Sequence, residues 1–127
     1  MSYRLTEETA FIRILFYGKI SAHDLQGAMR ELEILETGKA CVPNRLIDLT
    51  GVEQSEVKAD DIHAAATKRK SSRFANAFRS AIVAPRAAQF GYSRMFQALN
   101  DHPDITIQVF PNTAEASAWL AEEPTVS

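Results

Sequence analysis

The sequence predicts an α/β domain: a single mixed, mostly parallel five-stranded sheet with four helices, in the order β-β-α-β-α-β-α-β-α. Three observations carry this expectation. Apolar residues alternate along the chain between the two-residue period of strands and the three-to-four-residue period of helices. After the second strand, each strand is separated from the next by a helix, an order that gives parallel pairs with right-handed crossovers. The first two strands are joined by only four residues, Thr6-Glu7-Glu8-Thr9, a hairpin length that makes the first strand an antiparallel edge.

The first two strands are predicted over Tyr3–Leu5 and Ala10–Tyr17, the second rich in β-branched and aromatic residues and ended by Gly18. Ser21 is placed to cap the first helix, with Asp24 near its positive end. Leu25, Ala28, Met29, Leu32 and Leu35 form the buried stripe of that helix, and Arg30, Glu31, Glu33 and Glu36 its wet side. Gly38 reads as a left-handed cap. Arg45–Leu49 is a short third strand, with Thr50-Gly51 as the turn out of it. The second helix runs from about Ala59 to Ser72, with Ile62, Ala65 and Ala66 inward, acids in its first turn and Lys68-Arg69-Lys70 in its last. Ser80–Ala84 is the fourth strand, and Ala88, Tyr92, Met95, Phe96 and Leu99 are the stripe of the third helix. Ile105–Phe110 is the fifth strand, and Asn112 or Thr113 caps a last helix holding Ala116, Trp119 and Leu120, with Glu115 placed to complete the cap.

The chain has 127 residues, 46% of them hydrophobic and 24% charged, which fits one domain and excludes a disordered or collagen-like chain. Residues 1–121 are expected to form the domain and 122–127 a flexible tail. Cys41 is the only cysteine, so no internal disulfide forms, and a lone cysteine fits a reducing compartment. The start lacks a basic segment followed by an apolar one, and Arg13 and Lys19 interrupt the longest apolar stretch. A cytoplasmic protein without integral membrane association is expected.

Catalytic signatures are missing from the sequence. The five glycines never cluster as a phosphate loop requires. His23, His63 and His102 are scattered, and Asp60-Asp61-Ile62-His63 reads better as a helix start than as a ligand set. No Gly-x-Ser-x-Gly elbow is present, and Cys41 reads as an incidental small residue. No catalytic residue, metal or cofactor is expected.

Charge is uneven. Ile62–Asn100 carries seven basic residues and no acidic one, against a whole-chain net charge of −2, which suggests a basic face. Lys68, Arg69, Lys70 and Arg73 are the candidate anion site, the alternative being a solvated helix end that suits the dipole. Ser71 and Ser72 within the run are candidate phosphorylation sites. Phe74, Phe78, Phe90, Tyr92 and Phe96 lie among these arginines, but core packing accounts for most of them, so nucleic acid is not an expected partner.

The second and fifth strands each read as one apolar and one mixed face; on the fifth, Ile105, Ile107 and Val109 share one face and Thr106, Gln108 and Phe110 the other. On the second strand, Ile12, Ile14 and Phe16 share one face, and Phe11, Arg13, Leu15 and Tyr17 the other. Helices covering mainly the first face would leave Phe11, Leu15, Tyr17 and Phe110 as an apolar patch suited to a homodimer. A doubly wound sheet, in which one helix covers that mixed face, is the rival arrangement.

Three motifs carry a family resemblance. Arg45-Leu46-Ile47-Asp48-Leu49-Thr50-Gly51-Val52 resembles the strand and turn before the functional helix of STAS domains. Phe90-Gly91-Tyr92-Ser93-Arg94-Met95-Phe96 resembles the Gly-x-x-Arg-Met-aromatic motif of SpoIIAA-like proteins. Val109-Phe110 followed by Ala116 and Trp119-Leu120 resembles that family's last strand and closing helix. The ordered set covers nearly the whole chain and resembles the SpoIIAA-like family, related to STAS domains. The resemblance implies a small, self-associating, non-enzymatic module that regulates or binds a protein partner. The Asp-Ser pair of the phosphorylated STAS members is absent, and Thr50 and Ser55 are the nearest hydroxyls for a phospho-site or partner loop. The alternative function is a carrier or sensor of a small apolar or anionic ligand, lipid or phosphate-bearing, in a cavity lined by Phe78, Tyr92 and Met95.

Overall fold

The computed structural model describes residues 2–8, 10–70 (Lys70 by its backbone alone), 73–100 and 102–122. Five strands and four helices alternate as β1 (Tyr3–Glu7), β2 (Phe11–Ile20), α1 (Ala22–Thr37), β3 (Asn44–Ser55), α2 (Ala59–Lys70), β4 (Phe78–Val83), α3 (Ala87–Leu99), β5 (Ile105–Phe110) and α4 (Thr113–Ala121). The sheet order is β1-β2-β3-β4-β5. β1 runs antiparallel to β2, with Tyr3 opposite Phe16, and all other pairs are parallel. The predicted class and element order stand.

Strand order equals chain order, so successive crossovers step in one direction across the sheet. Crossovers of one hand then put α1, α2 and α3 on one face. The main core lies there: Ile12, Ile14 and Phe16 of β2, Ile47, Ile82 and Ile107 pack against Ala28, Met29 and Leu32 of α1, Ala66 of α2 and Phe96 of α3. The opposite face carries a second, smaller core of Leu46, Ala81 and Val83 against Ala116 and Leu120 of α4. Arg79 and Asn44 dock that helix. Arg79 Nη1 donates to the Trp119 carbonyl at 2.8 Å, and its guanidinium lies 5.1 Å from the Trp119 ring. Asn44 Nδ2 donates to the Leu120 carbonyl at 3.2 Å, and its Oδ1 accepts the Arg79 amide.

Caps define the helix starts. The Ser21 hydroxyl accepts from the Asp24 amide at 3.3 Å, and Asp24 accepts from the Ser21 amide at 2.9 Å, closing a capping box. Asn112 caps α4 by accepting from the Glu115 amide at 2.9 Å. Gly38, expected to be left-handed, ends α1 at φ −82° instead. Glu122, expected as the first tail residue, is the C-cap of α4; the rest of the predicted tail, 123–127, lies outside the described residues.

The central departure from expectation is β3. Thr50-Gly51 is not a turn: the strand continues to Ser55. Its pairing with β2 slips, from Leu15 opposite Asp48 to Tyr17 opposite Gly51. One extra residue therefore bulges out of β3. Asp48 makes the bulge, because its Oδ1 accepts both the Thr50 amide (2.9 Å) and the Thr50 hydroxyl (2.6 Å). Glycine suits position 51 beside it, since a Cβ there would sit a tight 3.0 Å from the Phe16 carbonyl oxygen. β2 likewise runs past Gly18, which adopts φ +68° at a second slip.

Asp48 also ties β3 to β2 through Oδ2, which accepts from Arg13 Nη2 at 2.5 Å. Burial pushes the Asp48 carboxyl up, but the Thr50 hydroxyl and amide and the Arg13 guanidinium outweigh burial and hold it below the usual carboxylate range. A depressed folded pKa gives stability that is complete above the unfolded value, about 3.9, and is lost as pH falls through the folded value. Asp48→Asn is therefore expected to be less stable than the wild type at neutral pH. That gap should close as urea denaturation is repeated below about pH 3.9. A gap independent of pH would refute this role.

Candidate functional site

A pocket of about 340 Å³ opens on the helix-covered face, between α1, α2, α3 and the carboxyl-terminal parts of β2, β3 and β4. Its floor is the sheet: Phe16, Ile47, Val52 and Ile82. Its walls are Leu25 and Met29 of α1, Ile62 and Ala65 of α2, and Ser93 and Phe96 of α3. Each wall residue is set by helical spacing. Leu25 and Met29 are four apart on the inward stripe of α1, as are Gln89 and Ser93 along α3. Small side chains, Ala65, Ala88 and Ser93, stand where larger ones would fill the space.

Most of the polar lining collects at the mouth, with Ser93 the buried exception on the α3 wall. β3, prolonged by its bulge, supplies Glu53, Gln54 and Ser55, and the start of α3 supplies Arg86 and Gln89. Two hydrogen bonds brace this rim across the sheet's end. Arg86 Nη1 donates to the Glu53 carbonyl at 3.1 Å, and Gln89 Nε2 donates to the Leu49 carbonyl at 3.3 Å. Gln89 Oε1 accepts the Arg86 amide at 3.2 Å, which fixes the first turn of α3.

At the other end of the strands, α1 and α2 are pinned together by a buried ionic cluster. Glu36 of α1 accepts from Arg45 Nη1 (3.1 and 3.2 Å) and from Arg69 Nη2 (2.6 Å), and Arg45 Nε donates to the Ser80 hydroxyl at 2.8 Å. Glu36 and Arg45 are 0% exposed, and Arg69 is 1% exposed. Arg45 lies over the Phe78 ring and Arg69 over the Phe74 ring. Burial, then the neighbouring Arg69 charge, pulls the Arg45 guanidinium down to about 9, against the opposing pull of Glu36.

The structure corrects several sequence expectations. Arg69 is no surface anion ligand, because it turns inward to Glu36. Lys68 and Arg73 are exposed, while the Lys70 side chain and Ser71 and Ser72 lie outside the described residues. Among the described residues, three of the seven basic side chains leave any common face: Arg69 is buried, Arg79 is stacked on Trp119 on the far side of the sheet, and Arg86 stands at the pocket mouth. Of the expected pocket residues, Tyr92 lines the cavity, but Phe78 and Met95 do not. Phe78 starts its strand at the opposite end, under Arg45. Thr50 is exposed, with its hydroxyl committed to Asp48. Ser55 sits at the end of β3, where its hydroxyl accepts the Val57 amide at 3.2 Å; it lines the pocket and precedes α2 rather than lying on it. The apolar patch shrinks, because Phe11 and Phe110 pack in the α4 core, Phe110 with its ring 5.6 Å from Trp119. Leu15 stays half-buried and Tyr17 is 39% exposed. The rival arrangement, one helix on the mixed face, is the observed one.

Arg86, Gln89 and Glu53 are site residues that the sequence reading passed over. Their signal was position: in open parallel sheets, ligand sites lie outside the carboxyl ends of the strands, and Arg86 follows β4 directly. Among the described residues no group of three or more His, Cys, Asp or Glu is arranged to hold a metal ion. No described helix is long and apolar enough to cross a membrane.

The chain matches no protein-family profile and no curated protein. Among solved structures it is similar to an uncharacterized protein of the DUF3478 family with a SpoIIAA-like fold, from Shewanella loihica PV-4. The TM-score is 0.60 at 20% sequence identity, over 94% of this chain and 92% of that one. The fold is therefore SpoIIAA-like, as the motifs around Asp48, Gly91 and Trp119 imply.

Proposed function

We propose that the chain is a non-enzymatic binding module, a carrier or sensor of a small, largely apolar molecule. The observation that carries this is the pocket. Its volume, about 340 Å³, lies within the range of small-molecule sites, its floor is apolar, and a few polar groups converge at one end. Its polar lining residues are Glu53, Gln54, Ser55, Arg86, Gln89, Tyr92 and Ser93. Histidine, the commonest general base, and cysteine, the most nucleophilic side chain, are both missing from that lining, which favours holding a molecule. The regulatory, protein-binding role implied by the resemblance rests on fold likeness, and fold alone does not set function.

Filling the cavity tests the reading. Ala65 lines the pocket from α2 and is half-buried, so Ala65→Trp puts an indole into the space from the α2 wall. An apolar fluorescent dye is expected to bind the wild type saturably at one site, and Ala65→Trp to weaken it by about tenfold or more, a loss of about 1.4 kcal/mol. Unchanged far-ultraviolet circular dichroism would confirm the fold of the variant. Dye binding that is unsaturable, or unaffected by the indole, would overturn the proposal.

A further inference from the structure

Resting on that reading, we infer that the pocket takes a free single-tailed amphiphile with one anionic head, a medium-chain monocarboxylate, with its head at Arg86 and its tail on the sheet floor. Three observations carry this. First, polarity is segregated along the cavity. The floor residues Phe16, Ile47 and Ile82 are buried and apolar, whereas Arg86, Glu53 and Ser55 at the rim are exposed. A ligand matched to this gradient has an apolar body and a polar group at one end only.

Second, the rim favours negative charge. Arg86 is the one cation among the lining residues, and Glu53 the one anion. They differ in how they are held. The Arg86 guanidinium is anchored across the mouth through one nitrogen, to the Glu53 carbonyl. A guanidinium has five N–H donors in a planar fork, and a carboxylate engages that fork bidentately. The α3 residues Ala88 and Gln89 line the same rim, and the first turn of α3 carries no acidic residue. The positive end of the helix dipole therefore adds to the Arg86 charge. Glu53 and Arg86 are both exposed, so water screens the two charges alike and the helix dipole sets the sign of the rim.

Third, the size fits one tail. A cavity of about 340 Å³ is near the lower end of the small-molecule range, too small for a two-tailed lipid.

Isothermal titration calorimetry with decanoate, decan-1-ol and decylamine, each below its micellar concentration, tests the inference on the wild-type chain and on Arg86→Gln. Decanoate is expected to bind the wild type about tenfold or more tighter than decan-1-ol, the worth of a charge-assisted hydrogen bond. Arg86→Gln should abolish that preference, so that decanoate and decan-1-ol bind the variant within about threefold of each other. If the alcohol binds the wild type as well as the acid, the pocket reading stands and the anionic head is refuted. Tighter binding of decylamine would refute it too, by assigning the head position to Glu53. If none of the three binds, the binding-module reading itself fails.

Discussion

Glu36→Gln is expected to destabilise the chain by about 3–5 kcal/mol, the usual result of breaking a buried ion pair on one side. The substitution keeps the shape of the side chain and removes its charge. It leaves Arg45 and Arg69 facing each other in the interior with no anion between them. Among the described residues, Arg45 Nη2 and Arg69 Nε and Nη1 already lack a hydrogen-bond partner, so the cluster has little capacity to absorb a further loss. Domains of this kind have only about 5–15 kcal/mol in total, and the urea midpoint should fall steeply. Adding Arg69→Met should restore part of the loss, because it removes one of the two stranded charges. A double-mutant cycle between Glu36 and Arg69 should give a coupling of about 0.5–3 kcal/mol. A Glu36→Gln variant within about 0.5 kcal/mol of the wild type, as for an ordinary surface change, would show that the cluster is not buried in solution.

That cluster marks where the sequence reading reached its limit. Composition places Glu36 on the wet side of α1, and Arg69 in a surface basic run, because a charged side chain on a helix is usually solvated. Spacing held a contrary signal. Glu36 lies four residues after Leu32 and seven after Met29, and Arg69 lies seven after Ile62 and three after Ala66. Both extend an apolar stripe to its next position. What spacing does not contain is the partner: the carboxylate and the two guanidiniums are nine and 33 residues apart in the chain, and only the sheet order brings them together. The element order and the parallel core were legible because each depends on local periodicity. The prolonged β3 was not, since Thr50-Gly51 is turn chemistry by composition and becomes a bulge only with Asp48 and β2 in place. The pocket was half legible. Its existence over the sheet and its Tyr92 wall follow from the helix stripes, whereas its rim depends on where β3 ends and α3 begins.

Phe78→Ala is expected to cost about 3–5 kcal/mol of stability, the range for deleting a buried phenylalanine ring, with no direct effect on the pocket. The ring is 5% exposed. It lies 5.2 Å from the Arg45 guanidinium carbon and meets the Phe74 ring edge-on at 5.0 Å. Truncation therefore opens a cavity and strips a cation–π contact from a fully buried guanidinium. Phe78→Leu keeps most of the volume and should cost less, about 1–2 kcal/mol, allowing for the lost ring contacts. The pair separates two assignments of this residue. As a pocket wall, Phe78 would change the affinity for an apolar dye even in the milder variant. As the lid of the ionic cluster, it should change the urea midpoint alone, since it begins β4 while the cavity lies towards the other end of the strands. Dye affinity measured on Phe78→Leu, alongside the same measurement on Ala65→Trp, decides between them. A Phe78→Leu variant that weakens the dye as much as Ala65→Trp does would return Phe78 to the pocket.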